Sequence, residues 1–109
     1  MVDAHTIVSW AHVLVLAPLL YIIAETDWIS ATATTVLGIF ITLYHAYKVY
    51  VKAMAGSSYW VNLIHVLVIG PLVTAKGVLN PAPRYVNELI LMTAAAGLGY
   101  HAYYLIKGE

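Results

Sequence analysis

The chain has 109 residues, 62% of them hydrophobic, and its five acidic and five basic residues leave no net charge. With no basic excess to hold a polyphosphate backbone, nucleic-acid binding is excluded as a role. There is no cysteine, so neither a disulfide framework nor a thiolate site can be built.

Four apolar runs follow one another, at about residues 4–24, 31–51, 59–75 and 86–106. At roughly 1.5 Å of rise per residue each reaches across a hydrocarbon layer of roughly 30 Å, the third only just. Lipid offers the backbone no hydrogen-bond partners, and the chain lacks the strict alternation and the turns of a closed barrel, so the runs are expected to be helices. A soluble bundle would show polar stripes at a period near 3.6, which these runs do not. The expected fold is all-α: a polytopic membrane protein with four transmembrane helices, forming a single domain over residues 1–109.

The first run begins in "MVDAHTIVSWAHVLVLAPLLYIIAETD", which has no basic leading segment and no A-x-A-like cleavage site. Its early charge is the acidic Asp3, and it is expected to remain as the first span, with His5 at the interface. "ETDW" at residues 25–28 leads to the second run and seats Trp28 at the membrane surface. "AMAGSSYW" at residues 53–60 leads to the third, where Ser57 or Ser58 is placed to cap the new helix. "KGVLNPAPRY" at residues 76–85 is the longest link, and its Gly77, Pro81 and Pro83 interrupt any continuous helix.

Links this short predict antiparallel neighbours in sequence, with both termini on one side. Lys48, Lys52 and Lys107 collect on the side of the termini, and Lys76 and Arg84 on the other. That three-to-two balance favours termini in the cytoplasm or its equivalent. Tyr47, Tyr50, Tyr59, Trp60, Tyr103 and Tyr104 fit an interfacial belt on the terminal side.

An internal duplication is legible. "VSWAHVLVLAPLL" at residues 8–20 and "VNLIHVLVIGPLV" at residues 61–73 agree at seven of thirteen positions, and "YHAY" recurs at residues 44–47 and 100–103. The expected unit is a two-helix hairpin used twice, with halves of about residues 1–55 and 56–109 related by an approximate two-fold axis along the membrane normal.

Alternating helix directions bring His12, His45, His65 and His101 to one level, roughly 8 to 12 Å inside the terminal boundary. Ser9 shares a face with His12, and Asn62 with His65, which marks these faces as inward. Pro18 and Pro71 follow the matching histidines by six residues and bend the helix or free a carbonyl. An intramembrane imidazole needs a partner at each nitrogen. A structural role satisfies that need through Ser9, Asn62, tyrosine hydroxyls or helix carbonyls.

Three functional alternatives stand beside the structural one. The histidines suit axial ligation of a haem or chlorin, with Gly38, Thr42, Ala94 and Gly97 making room for a flat ring. A bare transition-metal site suits imidazole as well, but the acids Glu25, Asp27 and Glu88 belong to the opposite end, and Asp3 and Glu109 lie toward the termini. Proton or ion conduction through an oligomer is the third. The expected role is a non-catalytic structural or assembly subunit, with the lipid bilayer, other membrane subunits or further copies of itself as partners and no cofactor. "AAAGLG" at residues 94–99 and "ATAT" at residues 31–34 suit the close helix contacts of such a part. The runner-up is an electron-transfer or pigment-binding subunit, with His12, His45, His65 and His101 as the cofactor-binding residues.

Overall fold

A computed structural model describes residues 4–107; Asp3, Glu109 and the side chain of His5 lie outside the described residues. Four helices account for nearly all of them, and no strand occurs among the described residues. Helix α1 covers residues 4–25, α2 Ala31–Met54, α3 residues 60–78 and α4 Arg84–Lys107. Three segments are long and apolar enough to cross a membrane: Thr6–Glu25, Trp60–Val78 and Arg84–Lys107. Helix α2 is not among them, because Thr32, Thr34, Thr35, Thr42, Lys48 and Lys52 dilute its apolar residues.

Each boundary has a local cause. The Ser30 hydroxyl accepts from the Ala33 amide at 3.1 Å and caps α2. Gly56, at φ 73°, ends that helix in a left-handed turn, and the Ser57 amide closes back on the Lys52 carbonyl at 2.8 Å. Neither Ser57 nor Ser58 caps α3: its first residue follows Tyr59, and no side chain caps the end. The Leu63 amide reaches the Tyr59 carbonyl at 2.9 Å, so the backbone satisfies part of that end itself. Ser30→Ala is therefore expected to cost about 1 kcal/mol in thermal unfolding, whereas Ser57→Ala and Ser58→Ala leave the midpoint unchanged.

Packing does not follow the connections. Helix α2 lies along α3, α1 along α4, and α3 meets α4 over a shorter stretch, while α1 and α2 make little contact despite their short link. The expected hairpin is thus a unit of connection and not of packing. Close approach of α2 and α3 explains the preference. In antiparallel register, Thr35 lies against Gly77, Gly38 against Thr74, and Thr42 against Gly70. Thr35, Thr42 and Thr74 return their hydroxyls to carbonyls four residues back in their own helices, at 2.8–2.9 Å, so these three donors are satisfied where the helices meet.

The exterior is apolar and the interior mixed. Leu14, Leu43, Leu67 and Met92 are among many large hydrophobic residues that are exposed, whereas Ser9, Thr34, Asn62 and His101 are buried. A tight apolar cluster of Ala24, Val86 and Ile90, with Leu20, Leu72, Ala82 and Leu91 packed around it, closes one end of the bundle. Hydrogen-bonded imidazoles occupy the other.

Candidate functional site

A five-residue turn, used twice, places two of the histidines. His12–Leu16 in α1 and His65–Ile69 in α3 each form one π-helical turn, closed by the Ala17 amide on the His12 carbonyl and by the Gly70 amide on the His65 carbonyl. The cause lies one residue further on. Pro18 and Pro71 have no amide hydrogen, and their rings press on the preceding turn, which widens to five-residue hydrogen bonding. The sequence places these prolines; the widened turn is what they produce.

His12 and His65 use the same internal contact. Each directs Nδ1 to the carbonyl four residues back, Val8 and Val61 respectively, at 2.8 Å. A carbonyl only accepts, so Nδ1 carries the proton and donates, which leaves the lone pair on Nε2, the ring atom farthest from the helix. The other pair makes contacts between helices. His45 Nδ1 donates to Asn62 Oδ1 at 2.7 Å, joining α2 to α3, and His101 Nδ1 meets the Ser9 hydroxyl at 3.2 Å, joining α4 to α1.

The four rings form one contiguous row. His101 stacks on His12 with centres 4.2 Å apart, His12 stands at 88° to His65 across 6.2 Å, and His65 stacks on His45 at 3.9 Å. All four predicted site residues are brought together. Ser9 and Asn62 serve, as their positions suggest, but each engages the histidine of a neighbouring helix and not the one on its own face. Tyr44 and Tyr100, which precede His45 and His101, stand edge-on to those rings at 5.1 and 5.0 Å. The repeated "YHAY" thus becomes a repeated ring contact.

These histidines line the terminal-side end of a cavity of about 430 Å³ between the four helices. Leu16, Leu20, Leu37, Ile41, Val68 and Ile69 form its apolar walls, and Trp60 and Tyr100 stand at the histidine end. Ala94 and Gly97 border it, as expected of residues that leave room; a Cβ added at Gly97 would meet nothing within 4 Å. Gly38 and Thr42 do not border it. Both are spent in the α2–α3 contact. Among the described residues, no three histidine or acidic side chains are grouped so as to hold a bare metal ion. Sequence reasoning expected room beside Ala94 and Gly97 but gave neither its extent nor its aliphatic walls from α1, α2 and α3.

No protein-family model, no curated protein and no solved structure matches this chain.

Proposed function

We propose that the protein is a multi-pass membrane protein that holds a small lipophilic molecule in its central cavity, with the histidine row meeting that molecule's polar or coordinating part. The observation that carries this is the cavity itself: about 430 Å³, walled by aliphatic side chains and furnished at one end with four imidazoles. A drug-sized site has roughly 300–1,000 Å³, mostly apolar lining and a few convergent polar groups.

The membrane setting rests on the three long apolar helices and the exposed aliphatic surface. Four passes with both termini on one side fit the up-and-down order, with α2 sheltered by laying its threonine face on α3. Tandem duplication is supported by the matching π turns, the matching Nδ1 contacts and the matching tyrosine contacts in the two halves. A side-by-side row at one depth does not conduct across a membrane, and the next layer is aliphatic, so proton passage has less support than binding. A structural or assembly role would draw on other surfaces. The "AAAGLG" patch does not argue strongly for it, since Gly97 and Gly99 have open space around them and seat no neighbouring helix.

Photolabelling in liposomes with trifluoromethylphenyl diazirine tests the proposal. Saturable labelling of Leu16, Leu37 or Ile41 is expected, and Gly97→Phe, which projects into the cavity without meeting the backbone, is expected to reduce it at least tenfold. Labelling that rises linearly with probe and is confined to outward residues such as Leu14 and Leu67 would reject a binding cavity.

A further inference from the structure

Resting on the cavity just described, we infer that its occupant is an iron tetrapyrrole ligated axially by His12 from α1 and His65 from α3. The separation of these two rings is the first reason. An imidazole nitrogen lies roughly 2 Å from a bound metal, with the ring centre about 1 Å beyond it, so two imidazoles on opposite sides of one ion have centres about 6 Å apart. His12 and His65 are at 6.2 Å, with planes at 88°.

Their tautomer is the second. Both rings donate from Nδ1 to their own backbone and present a lone pair at Nε2, which is the form a ligating histidine takes when its outer nitrogen is fixed by a carbonyl. The two positions correspond in the repeat, so the ligands are equivalent about the axis that relates the halves. His45 and His101 differ: their Nδ1 atoms are engaged by Asn62 and Ser9 on other helices, which makes them positioning residues against the faces of the axial rings.

The number of ligands gives the third reason. Two protein ligands suffice only for a metal that arrives with its other ligands, and a tetrapyrrole supplies four in-plane nitrogens. Its apolar edge has the aliphatic end of the cavity to enter, beside Gly97 and Ala94. Its carboxylates have Lys48 and Lys52, both half-buried and one and two turns beyond His45 toward the terminal side. His45 and His101 border that space by stacking on the faces of the two axial rings, at 3.9 and 4.2 Å.

Reconstitution of the full chain with haemin in detergent, followed by absorption and electron paramagnetic resonance spectra, is the test. The expected product is a one-to-one, six-coordinate low-spin species with the strongly anisotropic resonance of crossed imidazole planes. His12→Ala and His65→Ala are each expected to weaken haemin binding at least a hundredfold or convert it to a high-spin form. Neither substitution removes a bond between helices, and diazirine labelling of the same variants reports whether the cavity persists. Added imidazole is expected to restore the low-spin spectrum in His65→Gly. His45→Ala and His101→Ala are expected to keep six-coordination while altering the resonance anisotropy. A protein that shows saturable diazirine labelling but takes up no haemin overturns the tetrapyrrole and leaves the cavity reading intact; loss of both overturns both. Low-spin binding that survives His12→Ala and His65→Ala but fails in His45→Ala rejects the axial assignment.

Discussion

Gly38→Val and Gly77→Val will each destabilise the protein by about 3 kcal/mol or more, at the upper end of overpacking effects, because the obstacle in both cases is backbone. A Cβ at Gly38 runs into the amide nitrogen and Cα of Thr74, and one at Gly77 into the amide nitrogen of Thr35 and the Ala31 carbonyl. Flexible side chains could turn aside, but these atoms move only if α2 and α3 separate along their length. Separation would expose the Thr35, Thr42 and Thr74 face of the interface and dissolve the register that carries Asn62 to His45. Denaturation of bicelle-reconstituted protein by sodium dodecyl sulfate measures the effect. Gly97→Ala and Gly99→Ala serve as controls: the added methyl meets no atom within 4 Å, and relief of helical glycine gives a gain of roughly 0.5–1 kcal/mol. Equal stability of Gly38→Val and the unaltered protein would show that the two helices do not approach as described.

Replacing Pro18 or Pro71 by alanine is expected to separate stability from site geometry. Proline within a helix costs about 3 kcal/mol relative to alanine, so either substitution removes a local penalty and should hold or raise the unfolding midpoint. The restored amide lets the widened turn return to ordinary α-helical bonding. Removing one residue from a turn rotates the two parts of the helix relative to each other by roughly 100°. In α1 that rotation carries Ser9 and His12 away from His101, ending the 3.2 Å contact and the 4.2 Å stack; in α3 it carries Asn62 and His65 away from His45. Nitrogen-15 spectra of histidine-labelled protein read the change directly, through loss of the Nδ1-protonated signature of the paired rings. Diazirine labelling of the cavity should fall at least fivefold in parallel. A Pro71→Ala protein with unchanged histidine spectra would mean that the π turn has a cause other than the proline.

Lys48, Lys52, the tyrosines and the apolar runs act through their immediate surroundings, so their positions along the chain predict helices within a few residues of those observed: α2 runs three residues beyond its expected end, and α4 begins two before its expected start. Ser57 and Ser58 show the limit of that approach. Either hydroxyl suits a cap by type and place, yet Gly56 turns the chain so that the helix starts after Tyr59 instead.

The histidine level was similarly accessible, because depth depends only on counting residues at a fixed rise. Helix rotation was not. Segments that are apolar on every side carry no preferred face, so the choice of partner for Ser9 and Asn62 had no local signature. Both lie on the same faces as His12 and His65, and both turn out to serve rings on other helices.

By itself, then, the sequence determined four helices, a repeated histidine–proline spacing and a common level for four imidazoles, since each of these follows from composition or from periodicity along one chain. Only the tertiary structure decided that α2 pairs with α3 and α1 with α4, that the prolines widen the turns at His12 and His65, and that a cavity remains beneath the rings. The α2–α3 pairing depends on backbone approach to within a methyl group across the Gly–Thr contacts, and steric fit between surfaces distant in sequence leaves no periodic trace in either helix alone.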